Sequence, residues 1–266
     1  MRRILALVLL GLALGLGLPG GAWSQPAPRS GAFRVEPHRP GQMDVYILSF
    51  GLWGPQSVFE SEAKGAARIL ERQLGTAGRT IVLSNTKRRS DATPQALFAA
   101  AEAVGRALDP EEDVLVLVLT SHGGPQGIGL VSRRVEGVMT PGLVRGLLER
   151  AKARNRVVIV SACYSGIFAK ALADERTLVI TAAAEDRSSF GCRDGAAWTY
   201  FGDAFFNRAL RSDPRLDAAF DRARRLVSDR ERREGFEPSR PQIAGGEHVL
   251  ARLTARCALA QPRRVC

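Results

Sequence analysis

Two kinds of apolar pattern alternate along this chain. Short apolar stretches at residues 44–50 (DVYILSF), 79–84 (RTIVLS), 114–119 (VLVLVL), 157–160 (VVIV) and 178–182 (LVITA) predict strands. Residues 114–119 and 157–160 are apolar at every position, as expected of strands buried on both faces of a parallel sheet. Between the strands lie helical patterns. In residues 60–74 the apolar positions Ala63, Ala66, Ala67, Leu70 and Leu74 share one face. Thr93-Pro94 and Thr140-Pro141 each supply an N-cap and a proline at the first helical position. These pairs predict helices running to about Leu108 and Ala153. A short helix after Ser165 and two more near residues 200–211 and 216–234 complete the series. The alternation defines the fold class: α/β, a single domain whose mainly parallel sheet is sandwiched between helices.

The first residues have another pattern. Arg2 and Arg3 precede an apolar run over residues 4–18, followed by Pro19-Gly20-Gly21 and a small-x-small site at Ala22-Trp23-Ser24. That is the layout of a signal peptide over residues 1–24. The run is shorter than the roughly 20 residues a membrane span needs, so cleavage is expected. A periplasmic or secreted protein follows, with membrane anchoring as the alternative. Residues 25–42, rich in Pro, Gly, Ser and Arg, read as a flexible lead-in. Residues 43–266 form the domain with its C-terminal tail.

Composition narrows the chemistry. In 266 residues there are 38 Lys+Arg against 27 Asp+Glu, a formal net charge of +11. The most basic stretch, Asp221 to Glu234, interleaves acids with its arginines and reads as a solvated helix face. No nucleic-acid partner is therefore expected. Four cysteines are too few for a disulfide scaffold, and none stand in C-x-x-C spacing, so no zinc site is expected. The chain has no G-x-x-x-x-G-K-[ST], no G-x-G-x-x-G after a strand, no H-E-x-x-H and no G-x-S-x-G. Phosphate loops, dinucleotide folds and the common zinc and serine hydrolase signatures are excluded.

A His and a Cys remain, each just past a buried strand. VLVLVLTSHGG places His122-Gly123-Gly124 beyond one strand, and VVIVSACYSG places Ala162-Cys163 beyond another. Ligands of open α/β sheets bind outside the carboxyl ends of the strands. The helix between these two strands is long enough to make them parallel neighbours, about 4.8 Å apart. A thiol and an imidazole so placed suit nucleophilic catalysis, with the thiolate attacking and the imidazole delivering a proton to the leaving amine. A lone Cys ending a strand is ordinarily a small buried hydrophobe. The matching form of the two blocks sets this pair apart.

Strand–His122-Gly123 and strand–Ala162-Cys163 resemble the paired signature of the caspase-like clan of cysteine peptidases. Thr181-Ala182-Ala183-Ala184 through Ser188-Ser189-Phe190-Gly191-Cys192, and Thr199-Tyr200-Phe201-Gly202-Asp203, are similar to stretches of its legumain (asparaginyl endopeptidase, hemoglobinase) family. The resemblance runs from about Met43 to Leu210 and is to a bacterial-type member. It implies peptide-bond hydrolysis through an acyl-enzyme, on a peptide or protein substrate, with no metal or cofactor. Cys163 would be the nucleophile and His122 the general acid/base. The backbone N–H groups of Gly123 and Cys163 would form the oxyanion hole.

The same resemblance places Val58, Ser161, Ser189 and Asp203 at the substrate pocket. Legumains hold asparagine with an Arg, a Glu and an Asp; here Val58 and Ser161 stand at the first two positions and only Asp203 is kept. One carboxylate without an Arg suits Arg or Lys at P1, against the family's Asn, unless Glu60, Glu62 or Arg187 enters the pocket. A helix cap is the alternative role for Asp203. A transpeptidase or ligase, or an inactive caspase-like binding scaffold, are the alternatives to a peptidase. Among the other cysteines, Cys257–Cys266 and Cys192–Cys257 are competing disulfides. His38 and His248 read as non-catalytic.

Overall fold

The computed structural model describes residues 33–259; the stretch read as a signal peptide, residues 25–32 of the lead-in, and Cys266 lie outside them. Six strands form the main sheet. In chain order they are β1 (Val45–Gly51), β2 (Thr80–Ser84), β3 (Val114–Thr120), β7 (Asn155–Ser161), β8 (Thr177–Thr181) and β9 (Gln242–Ala244). Across the sheet the order is β2-β1-β3-β7-β8-β9, parallel from β2 to β8 with β9 antiparallel at the edge. A small antiparallel sheet, β4 (Gly123–Gly124), β5 (Gly127–Val131) and β6 (Glu136–Met139), stands between β3 and the next helix.

Side chains of each strand alternate between two cores. Leu115, Leu117 and Leu119 of β3 point to one, and Val114, Val116 and Val118 to the other. The first core is covered by α2 (Pro94–Ala107), α3 (Pro141–Arg150) and α4 (Gly166–Leu172), through Leu97, Val104, Val144, Leu148 and Phe168. The second is covered by α1 (Ser57–Leu74), α5 (Tyr200–Gly202), α6 (Leu216–Glu234) and α7 (Glu247–Leu259), through Ile69, Leu70, Phe201, Phe220, Val249 and Leu253. This is the expected helix–sheet–helix sandwich. Both expected caps form: Thr93 accepts from the Ala96 N–H at 3.2 Å and Thr140 from the Leu143 N–H at 3.3 Å.

Some of the fold was not expected. The β4–β6 sheet, β9 and α7 went unread, and α5 continues as a π-helical run, Asp203–Leu210. Residues 33–42, part of the lead-in, lie along the domain. The Glu36 N–H donates to the Gly78 carbonyl and the His38 N–H to the Ala107 carbonyl, both at 2.8 Å, and His38 faces the buried Asp113. Among the described residues no helix is long and apolar enough to cross a membrane.

Candidate active site

β3 and β7 are paired in parallel with Thr120 level with Ser161. His122 and Cys163 are each two residues further on, so the two chains leave the sheet side by side. The pairing runs on past the strands, since the Ser121 N–H donates to the Ser161 carbonyl at 3.3 Å. Gly123 then passes so close to the Cys163 backbone that a Cβ would lie 2.0 Å from the Cys163 carbonyl oxygen. Only glycine permits that approach.

His122 sits in a box. The rings of Trp53 and Phe59 meet its imidazole edge-on, with centroids at 4.8 and 5.0 Å. Its carbonyl accepts from the Gly129 N–H at 2.9 Å, and Ser121 Oγ donates to the Gly129 carbonyl at 2.6 Å, so the small sheet clamps the loop. Nε2 is hydrogen-bonded to Gln56 Oε1. Gln56 stands at the N-cap position of α1 but does not cap it. Its Nε2 donates instead to the Cys192 carbonyl at 2.8 Å. Burial holds the imidazole below its ordinary value, which favours the neutral ring.

Cys163 is half-buried and carries a free thiol. Its Sγ accepts from the Ser189 N–H at 3.2 Å, and lies 3.4 Å from the Ser189 carbonyl and 3.7 Å from Ser189 Oγ. Tyr164, the next residue, has φ +55, a left-handed conformation unusual for a bulky side chain. Its N–H donates to the Arg187 carbonyl at 2.7 Å, which holds the turn. Residues 187–195 thus touch the nucleophile candidate through Ser189 and the histidine through Cys192 and Gln56. Asp194 anchors the far end, accepting from the Ser57 N–H and Oγ, both at 2.9 Å, and from Lys87 at 2.6 Å.

The expected pocket residues fall in different places. Val58 is buried on α1. Ser161 is buried, and its Oγ is hydrogen-bonded to Thr199 Oγ1 at 3.1 Å. Asp203 is not an N-cap: Thr199 caps the start of α5 and Asp203 stands at its C-terminal end, where its carboxylate accepts from Asn207 at 2.7 Å with Arg208 further off at 3.7 Å. Glu62 lies fully buried among these groups. It accepts from Thr120 Oγ1 at 2.8 Å, from the Thr199 N–H at 2.8 Å and from Thr199 Oγ1 at 2.7 Å. Burial pushes its carboxyl up despite those bonds. Glu60 is tied to Lys64 and Arg89 on the surface. Cys192 keeps a free thiol, so the Cys192–Cys257 bridge is not formed, and Cys257 is disulfide-bonded.

Gln56 and Trp53 were missed by sequence reasoning. Both lie within five residues of the end of β1, which neighbours β3. The signal in the sequence is their place just past the apolar run 44–50, the same kind of strand end that precedes His122 and Cys163.

The fold is that of the caspases. The chain is similar to the crystal structure of caspase-1 from Spodoptera frugiperda, with a TM-score of 0.51 and 12% identity, covering 84% of this chain and 93% of that one. It is similar also to the structure of pro-sf-caspase-1, with a TM-score of 0.52 and 12% identity, covering 79% and 93%. A search of curated proteins returned no match. The model of the peptidase C13 family matches residues 97–249, more than half of the chain, and the chain belongs to that family. The legumain resemblance is borne out at this level.

Proposed function

We propose that this protein is a cysteine endopeptidase with Cys163 as nucleophile and His122 as general acid/base. What carries the reading is the level pairing of Thr120 with Ser161, which sends both residues off neighbouring strands at one height. Membership of a peptidase family supports it. The neutral imidazole takes the thiol proton, and Sγ bonds to the scissile carbonyl carbon. The carbonyl oxygen gains the negative charge, held by the N–H groups of Gly123 and Cys163. Collapse breaks the C–N bond as His122 gives its proton to the leaving amine. Water, deprotonated by His122, then frees the acid and the thiol. No metal or cofactor enters these steps.

At P1 the proposal is Arg or Lys. Val58 supplies no guanidinium, so no cationic donor stands among Val58, Ser161, Ser189 and Asp203 to pair with a neutral amide's carbonyl, whereas the Asp203 carboxylate suits a cation. Asp203 stays partly exposed, with its Arg208 partner as far as 3.7 Å. A substrate cation competes well against so long a pairing.

An activity-based thiol probe tests the dyad, comparing wild type with Cys163→Ala and His122→Ala. Labelling is expected to vanish in the first variant and slow strongly in the second. Unchanged labelling of Cys163→Ala would sink the proposal.

A further inference from the structure

The candidate active site uses the carboxyl ends of the strands. At the opposite end of the sheet lies a cluster of arginines that peptide hydrolysis does not explain. Arg252 and Arg256 stand one turn apart on α7. Together with Arg39 they line a cavity of about 460 Å³ in whose wall no Asp or Glu appears. Like charges four residues apart on a helix repel, so the arrangement is costly when the cavity holds no anion.

The nearby acids already have partners, Asp44 on Arg39 itself. Asp44 accepts from Arg39 Nε at 3.0 Å and pairs with Arg79 at 3.3 Å. Asp113 accepts from the N–H groups of Asp44 and Asp109, at 2.8 and 2.7 Å, and faces His38. Arg252 Nη2 donates to the Glu112 carbonyl at 2.6 Å, but its Nε is buried without an acceptor. Arg256 Nη1 is likewise buried without an acceptor, and Arg256 makes no ion pair among the described residues. Burial pulls Arg256 below its ordinary value; Asp44 and Asp113 oppose that shift, and the charges of Arg39 and Arg79 add to it. Unpaired buried guanidinium N–H groups add to that cost, and the planar fork of an arginine lining the cavity matches the oxygens of a phosphate.

We propose that this cavity binds a phosphate-type oxyanion, with Arg252 and Arg256 as donors and Arg39 as a third positive wall. A free phosphate, a phosphate ester and a lipid headgroup share that chemistry. The site is independent of the peptidase reading, because its test does not involve peptide cleavage.

The test is calorimetric titration of the full chain with inorganic phosphate at constant ionic strength, beside flotation with phosphatidylglycerol and phosphatidylcholine vesicles. Saturable phosphate binding is expected, weakened at least about tenfold, or 1.4 kcal/mol, in Arg256→Gln and in Arg252→Gln. Arg222→Gln, on α6, should bind as wild type. Arg256→Lys, which keeps the charge but loses the fork, serves if the glutamine variant fails to fold, and should bind at an intermediate level. Flotation with phosphatidylglycerol alone, lost in the same variants, would assign the anion to a lipid headgroup. Absence of binding in both arms overturns the proposal, as does binding that Arg256 and Arg252 substitutions leave unchanged.

Discussion

Gln56 decides which nitrogen of His122 carries the proton. The Gln56 amide nitrogen is spent on the Cys192 carbonyl, so its oxygen must face His122 Nε2. An oxygen there accepts, which makes Nε2 the N–H and leaves the lone pair on Nδ1. The imidazole is thereby held with one nitrogen bonded and the other keeping its lone pair.

Gln56→Ala should therefore lower kcat by about 10- to 100-fold, part of the 10²–10⁴ that a positioned acid–base group supplies. KM should change little. Gln56→Glu should raise the His122 pKa, because a carboxylate favours the imidazolium, and move the acid limb of the kcat/KM profile to higher pH. A profile that stays in place in Gln56→Glu would argue that the bond does not orient the ring.

Gly123→Ala should cost both stability and activity. A Cβ would stand 2.0 Å from the Cys163 carbonyl oxygen, which neither backbone can accept without moving. Overpacking of this kind costs about 1–3 kcal/mol. Displacement of the two loops should cost activity about 10²-fold. Thermal melts and peptide turnover measured on the same preparation check both.

Glu62 makes stability depend on pH. Its carboxyl is raised in the folded protein, so the folded state binds more protons than the unfolded one above the ordinary value near 4.5. Its contribution is full below that value and lost as pH rises through the folded one. Glu62→Gln keeps the shape and removes the titration, and should flatten this part of the Tm–pH curve. Glu62→Ala should destabilise at every pH, because Thr120 and Thr199 lose their acceptor. His122 has the opposite sign: its depressed value adds stability above pH 6.5 that is lost as pH falls.

The two free thiols should react at different rates. Burial, with the charges of Cys163 and Glu62 adding, pushes Cys192 up to about 12, so it carries almost no thiolate at neutral pH. Iodoacetamide followed by peptide mapping should modify Cys163 first and Cys192 only after unfolding. Equal rates in the native protein would contradict this.

P1 preference is checked with fluorogenic peptides that differ only at that residue. Arg and Lys should exceed Asn in kcat/KM, and Asp203→Ala should reduce the difference. Asn turned over far faster than Arg would refute the basic preference.

The parts legible in the sequence were those with a strong local signal. Unbroken apolar runs such as 114–119 need two covered faces, and Thr-Pro pairs start helices whatever lies nearby. β9, with three residues, is too short for a period, and the β4–β6 sheet begins on glycines that carry no apolar pattern. α7 was missed although Val249 and Leu253 are spaced to share a helix face.

For the site the division is similar. The sequence by itself determined that His122 and Cys163 follow buried strands, because strand ends are marked by local composition. Only the tertiary structure decided that Gln56 reaches His122, that Ser189 rests against the Cys163 thiol, and that Glu62 sits buried between Thr120 and Thr199. The residues of these pairs stand 66, 26, 58 and 137 positions apart. Hydropathy reports what one residue prefers; a hydrogen bond across such separations depends on how the whole sheet is ordered.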